Sequence, residues 1–178
     1  MARIKGLGAA RAKYLSVSTR CVIEKDRQVM GERKDPYNLE RFIEAQVGRY
    51  EIALSEIANG RKRSHWMWFI FPQMLGLGSG SNSVFYGIRN AEEAKRYLDH
   101  PILGRRLMEC TVSLLVLTRK TSSEIFDSPD DMKLRSSMTL FEHVAGEGSV
   151  FEKVLKKYFG GIRDEKTLLI LKAGISEK

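Results

Sequence analysis

The sequence predicts an all-α protein with a single compact domain of six or seven helices at residues 35–174, preceded by a disordered basic leader at residues 1–34. Three observations support this fold class. Apolar residues recur at spacings of three and four, helix-capping residues precede most of these stretches, and no stretch alternates apolar with polar residues as a half-buried strand does. The 178 residues are enough for one domain with a substantial core.

The first helix is predicted to begin at Asp35-Pro36, because an acceptor side chain followed by proline is typical of a helix start. It is expected to end near Asn59-Gly60, since glycine favours the left-handed conformation that terminates helices. Ser64 is expected to cap a short helix that reaches Phe71, where Pro72 disfavours further helix. The apolar stripe of the first helix has helical spacing: Leu39, Phe42, Ile43, Gln46, Tyr50, Ala53, Leu54 and Ile57.

The later elements follow from glycine, proline and capping residues. Residues 75–83 (LGLGSGSNS) predict a flexible loop, with a mobile lid over a ligand as the alternative, and residues 84–86 predict a short extended piece. Asn90, Ser149 and Asp164 are the expected N-caps of three helices. The remaining helical stretches are expected at residues 91–98, 101–120, 122–126, 129–145, 150–160 and 165–171.

The net charge of +8 is concentrated in the leader. Residues 1–34 contain nine of the 30 Lys and Arg residues and three of the 22 acidic residues, so they carry +6 and the remainder carries +2. Nucleic acid or an acidic protein is therefore expected as a partner only through the leader. The lack of acidic residues before Glu24 also fits an organellar transit peptide, which stays open as an alternative to a cytoplasmic location.

Several classes of protein are disfavoured by composition. Cys21 and Cys110 cannot form a disulfide framework, and three histidines without metal-binding spacing predict no metal site. No motif indicates a cofactor. No apolar run approaches the roughly 20 residues that a membrane-spanning helix needs. We therefore expect a soluble protein in a reducing compartment, without a membrane contact.

Residues 65–73 (HWMWFIFPQ) contain both tryptophans of the chain, and this stretch is either core or the wall of a small-molecule pocket. In a pocket, the aromatic rings would stack on a ligand ring and Gln73 would bind an amide or a base edge. The predicted helix at 129–145 carries Ser and Thr in its middle, where these residues are not favoured. That helix fits an anion-binding surface or close helix packing.

We therefore predict a site for a phosphorylated or nucleotide-like small molecule. Basic side chains would bind its anionic group, acids would act in general acid/base chemistry, and Lys133 would serve as the base for Ser136 or Ser137. The expected ligand-binding residues are His65, Trp66, Trp68, Gln73, Tyr86, Arg135 and Arg163, and the expected catalytic residues are Asp131, Lys133, Ser137 and Asp164. Core packing, helix capping and a solvated helix face are the structural alternatives for these residues.

Six motifs in order resemble the DUF1810 family, a domain of unknown function some of whose members are labelled calpastatin. The motifs are DPYNLERFIEAQ, SHWMWFIFPQ, YGI, YLDHPILGRRLMEC, EIFDSPDDMKLRSSMTLF and YFGGIRDEKTL. The resemblance covers about residues 35–171 and implies a compact, mainly helical domain with no established activity. A typical member runs more directly from the aromatic motif to YGI, where this chain has its Ser/Gly/Asn-rich stretch.

A second, weaker pattern is similar to the NADAR proteins. It consists of an aromatic segment, Asp130 and Lys133 on one helix, and a later Gly160-Gly161 followed by Asp164. That similarity implies a mainly helical protein acting on N-glycosidic bonds, but fold likeness alone does not carry function. Two hypotheses therefore stay open: a small-molecule binder or enzyme, and a non-enzymatic interaction domain whose basic leader binds its partner.

Overall fold

The computed structural model describes residues 35–175 and contains ten helices and no strand in that part of the chain. The all-α class is thereby confirmed, whereas the expected count of six or seven helices is wrong. The leader, with its expected disorder, targeting and partner binding, lies outside the described residues. The helices are α1 (Glu40–Gln46), α2 (Tyr50–Ala58), α3 (Met67–Ile70), α4 (Ser81–Phe85), α5 (Ala91–Asp99), α6 (Leu103–Val116), α7 (Ser122–Phe126), α8 (Asp130–Ala145), α9 (Val150–Phe159) and α10 (Glu165–Ile175).

The predicted first helix is in fact two helices. α1 ends at Gln46 and α2 begins at Tyr50, and Gly48 between them has a φ of +65°, in the left-handed region. Phe42 and Ile57 are both fully buried, so the two helices place their apolar stripes in one core. The apolar spacing continues across the break for that reason, and spacing alone therefore predicted one helix.

A further difference concerns the stretch predicted as a loop and an extended piece. Residues 81–85 form α4, so the extended conformation expected at 84–86 is wrong. No residue of α4 is buried. A helix that buries no apolar stripe does not show the apolar spacing from which a helix is predicted. The two ends of the stretch are joined by an isolated parallel bridge between Met74 and Ile88, in which Leu75 N–H donates to Ile88 O at 2.8 Å.

The core is organised around α8, which packs against α5, α7, α9 and α10. Leu134, Met138 and Phe141 of α8 are fully buried, and Phe141 packs against Tyr97 of α5 and Phe151 of α9 at ring centroid distances of 5.5 and 5.6 Å. α8 is therefore the central helix, and it contacts four other helices along its length. No helix within residues 35–175 combines the length and apolarity that crossing a membrane requires.

The predicted N-caps at Asn90, Ser149 and Asp164 are confirmed. Their side-chain oxygens accept hydrogen bonds from the backbone N–H three residues on, at 2.9, 3.3 and 2.9 Å. The expected cap at Ser64 is wrong, because α3 has no side-chain cap and the Ser64 hydroxyl donates to the Glu56 carboxylate instead.

A buried ion pair fixes α1 to α5. The Arg41 guanidinium lies 2.6 Å from the carboxylate of Glu93, and both side chains are at most 5% exposed. Arg41 also donates to the carbonyl oxygens of Phe85 and Gly87, at 2.9 and 3.3 Å. The end of α4 and the turn that follows it are thereby attached to α1.

Replacing Glu93 with glutamine is expected to lower the free energy of unfolding by about 3–5 kcal/mol, because Arg41 then remains buried without a counter-charge. Urea denaturation followed by circular dichroism measures this loss. The matched control is Glu92→Gln, since Glu92 is the neighbouring exposed acid of α5 and pairs with Arg96 at the surface. Equal midpoints for the two variants would contradict the assignment of the pair as a structural anchor.

Candidate functional site

The aromatic segment at 65–73 is anchored by one carboxylate. Glu56 of α2 accepts hydrogen bonds from the backbone N–H groups of Arg63 and Ser64, from the Ser64 hydroxyl and from the indole N–H of Trp66, at 2.8 to 3.1 Å. Burial on its own would raise the pKa of Glu56, but these hydrogen bonds outweigh it and lower the pKa to about 2. The segment is therefore tied to α2 just before α3 begins.

The two tryptophans face different environments. Trp66 is buried and packs with Phe71 against Phe126 of α7, with ring centroids 6.1 and 6.2 Å from that of Phe126. Trp68 lies two positions further along a helical turn, and so projects about 200° around the axis from Trp66. It is half-buried and lines a cavity. One segment thus supplies both core and cavity wall.

The cavity has a volume of about 460 Å³. Its walls come from four places: the end of the aromatic segment, the Ser/Gly-rich stretch with α4, the first half of α8 and the beginning of α10. The residues that line it are Trp68, Gln73, Leu77, Gly78, Gly80, Ser81, Asn82, Ser83, Pro129, Met132, Lys133, Ser136, Asp164 and Lys166.

A lysine is held beside the tryptophan in this wall. The ammonium of Lys133 lies 4.5 Å from the centre of the Trp68 ring and 2.6 Å from one carboxylate oxygen of Asp130. The other oxygen of Asp130 bonds Lys62 at 2.6 Å. Burial would raise the pKa of Asp130, yet the bonds from the two lysines lower it below its ordinary value. An ammonium has three N–H donors, so Lys133 keeps donor capacity for a ligand.

Asp164 contributes a carboxylate to the cavity. Its Oδ2 accepts from the backbone N–H and the hydroxyl of Thr167, at 2.9 and 2.7 Å, and its own backbone N–H donates to the hydroxyl of Thr139 at 2.9 Å. Its Oδ1 lies 3.7 Å from the guanidinium of Arg135, which is too long for a hydrogen bond. The carboxylate is therefore fixed in orientation with one oxygen still able to accept.

Several polar side chains of the wall have no partner among residues 35–175. Among the described residues, no other group forms a hydrogen bond or an ion pair with the side chains of Gln73, Ser81, Asn82, Ser83 and Lys166. These side chains come from three different walls. Donors and acceptors that converge on a concave surface without internal partners are suited to a polar ligand.

Comparison with known proteins agrees with the sequence motifs. Residues 36–171 match the model of the family described as "Protein of unknown function (DUF1810)". The chain belongs to the DUF1810 family. The conserved hypothetical protein Rv1873 from Mycobacterium tuberculosis, known from a crystal structure, is 47% identical, and the similarity covers 78% of this chain and 99% of Rv1873 with a TM-score of 0.76. No curated protein matches the chain.

Four of the predicted site residues of this DUF1810 domain meet at the cavity, namely Trp68, Gln73, Lys133 and Asp164. Arg135 does not line it, but lies beside Asp164, and its Nε is buried without a hydrogen-bond partner among the described residues. The other six predicted residues lie away from the cavity lining: His65, Trp66, Tyr86, Asp131, Ser137 and Arg163.

The residues outside the cavity have other surroundings. Tyr86 packs against aromatic rings of the core, and Arg163 makes two hydrogen bonds to Glu142, at 2.9 and 2.6 Å. Asp131 accepts from Ser123 at 2.7 Å, and His65 is exposed. Ser137 is fully buried, and its hydroxyl has no hydrogen-bond partner in the described part of the chain. The ammonium of Lys133 bonds Asp130, and no bond to Ser137 is formed.

Sequence reasoning did not select the residues of the opposite wall. Ser81, Asn82 and Ser83 belong to a stretch that glycine and serine mark as a loop, and Lys166 follows the predicted site residue Asp164 by two positions. Whether these side chains have hydrogen-bond partners is decided by the folded structure and is not visible in the sequence. The only signal in the sequence was the composition of the stretch, which supported a lid as the alternative to a plain connection.

The possible metal ligands and the thiol of residues 35–175 lie in the following surroundings. Within residues 35–175, no group of three or more His, Cys, Asp or Glu side chains is placed to hold a metal ion. Cys110 is buried in the core, and burial raises the pKa of its thiol to about 12. A thiol with that pKa is not a nucleophile near neutral pH.

The anchoring role of Glu56 predicts a pH dependence. Its folded-state pKa of about 2 lies below the ordinary value of 4.5, so its contribution to stability is complete above pH 4.5 and is lost as the pH falls towards 2. Glu56→Gln is therefore expected to be less stable than the parent protein at pH 7, with a difference that narrows below pH 4.5.

Urea midpoints measured from pH 7 to pH 2.5 test this expectation. Glu51→Gln, an exposed acid on the same helix, is the control and should lower the midpoint at pH 7 much less than Glu56→Gln does. A Glu56→Gln deficit of the same size at pH 7 and pH 2.5 would show that the ionised carboxylate is not the anchor.

Proposed function

We propose that the cavity binds a phosphorylated, nucleotide-like small molecule. The observation that carries the proposal is the convergence of Trp68, Lys133 and a set of polar side chains without internal partners on one concave surface. These polar side chains are partly or fully exposed, so their donors and acceptors are available to a ligand that enters the cavity. The volume of about 460 Å³ falls in the range of about 300–1,000 Å³ typical of small-molecule sites.

The charges of the lining favour an anionic ligand. Two lysines, Lys133 and Lys166, line the cavity with one carboxylate, that of Asp164. The carboxylate of Asp130 neutralises part of the charge of Lys133, but it also pairs with Lys62. The balance is therefore positive, and lysine ammonium groups are common partners of phosphate groups.

The remaining groups fit the rest of such a ligand. Trp68 offers an aromatic surface for a planar ring, and Gln73 has both a donor and an acceptor for the edge of a base. The free oxygen of Asp164 can accept from a neutral donor such as a sugar hydroxyl. A second anionic group would be repelled there, so the phosphate is expected on the side of the lysines.

The similarity to the NADAR proteins supports the same class of ligand. Trp68, Lys133 and Asp164 come from the three separate motifs that carry that similarity, and they meet at one cavity. A ligand containing a base joined to a sugar phosphate by an N-glycosidic bond matches the wall described above. The proposal concerns binding, and Ser137 has no part in it because it lies outside the cavity lining.

Thermal denaturation in the presence of AMP, ADP-ribose, NAD or ribose 5-phosphate tests the proposal. A ligand that binds the native state raises its stability, by about 2.7 kcal/mol at a hundredfold excess over the dissociation constant. At least one of these compounds is expected to raise the melting temperature of the parent protein. The rise should be lost in Trp68→Ala and in Lys133→Met, which remove the aromatic wall and the ammonium.

Two control variants accompany this measurement. Phe85→Ala removes an aromatic ring that is 56% exposed and does not line the cavity, and Lys153→Met removes an exposed lysine of α9. Both should keep the ligand-induced rise. The proposal would be wrong if no compound stabilised the parent protein, or if the stabilisation persisted in both cavity variants.

A further inference from the structure

Lys62 lies outside the cavity lining but is connected to it through a carboxylate. Its ammonium is 2.6 Å from Oδ2 of Asp130, whereas Lys133, inside the cavity, is 2.6 Å from Oδ1 of the same group. The three side chains are 11%, 15% and 22% exposed for Lys62, Asp130 and Lys133 respectively. One carboxylate thus joins two lysines in a poorly solvated place.

The position of Lys62 is set by the fold and does not require a ligand. Its backbone N–H donates to the carbonyl of Ile125 at 2.7 Å, and its ammonium lies 5.4 Å from the ring centre of Trp66 in the core. The basic residues on either side point to other partners or to solvent. Arg61 pairs with Asp127 at the surface, and Arg63 is exposed.

The net charge of Lys62, Asp130 and Lys133 together determines how strongly Lys133 attracts an anion. With Lys133 alone, Asp130 would form a neutral pair, and an anionic ligand near the ammonium would also approach the carboxylate. With Lys62 bound to the second oxygen, the three groups together carry +1. Charges in a poorly solvated place interact more strongly than charges in water, so this difference acts on any anion in the cavity.

We propose that Lys62 is a positioning residue of the ligand site: by neutralising Asp130 from outside the cavity, it leaves the Lys133 ammonium with a net positive charge for the anionic group of the ligand. This inference rests on the proposed function and adds the origin of the charge that the cavity presents. It assigns a role to a basic residue that does not contact the ligand.

Calorimetric titration of the full chain with AMP tests the inference, using Lys62→Met, Asp130→Asn, the double variant of both and Arg63→Met as the exposed neighbouring control. Lys62→Met is expected to weaken AMP binding about tenfold, the effect of losing one unit of charge near the anion. Arg63→Met should bind as the parent protein does.

The double variant separates charge from structure. Removing the carboxylate as well as Lys62 returns a net charge of +1 to the Lys133 group, so Lys62→Met with Asp130→Asn is expected to bind AMP within about threefold of the parent protein. If Lys62 only supported the fold, the double variant would bind at least as weakly as Lys62→Met.

The outcomes are distinguishable from a failure of the proposed function. Unchanged AMP affinity in Lys62→Met would overturn the role of Lys62 while the cavity remained a binding site. No recovery in the double variant would likewise overturn it. If the parent protein bound neither AMP nor ADP-ribose, NAD or ribose 5-phosphate, the proposed nucleotide site would be wrong and this inference with it.

Discussion

The cavity depends on the carboxylate of Glu56. Residues 61–66 form no helix, and Glu56 supplies the acceptors for two of their backbone N–H groups and for the indole of Trp66. This arrangement directs Trp66 into the core and, through the geometry of one helical turn, turns Trp68 towards the cavity. A single acid on α2 therefore sets the direction in which the most aromatic segment of the chain presents its rings.

The sequence predicted elements well where the decisive chemistry is local. The caps at Asn90, Ser149 and Asp164 were found because a capping side chain bonds a backbone N–H only three residues away. The sequence predicted poorly those elements whose bounds depend on tertiary packing. The break at Gly48 is hidden because both flanking helices bury their apolar stripes in the same core, and α4 is hidden because it buries none of its residues.

The same contrast between local chemistry and tertiary packing applies to the candidate site. Residue types pointed to Trp68, Gln73, Lys133 and Asp164, and the fold brings them together across about a hundred residues of sequence. Tyr86 and Arg163 have equally suitable chemistry, but core rings pack against one and Glu142 binds the other. Only the folded chain shows which polar side chains have found internal partners. Lys62 illustrates the point, since its connection to Lys133 runs through both oxygens of Asp130.

The division of roles between the two tryptophans is tested most directly by nuclear magnetic resonance. The chain has two tryptophans, so an ¹⁵N–¹H correlation spectrum has two indole N–H signals that substitution of either residue assigns. Titration with AMP is predicted to shift the signal of Trp68 in a saturable way and to leave that of Trp66, bonded to Glu56 in the core, in place. Two unmoved signals, or a larger shift for Trp66 than for Trp68, would contradict the account of residues 65–73 as core on one side and ligand wall on the other.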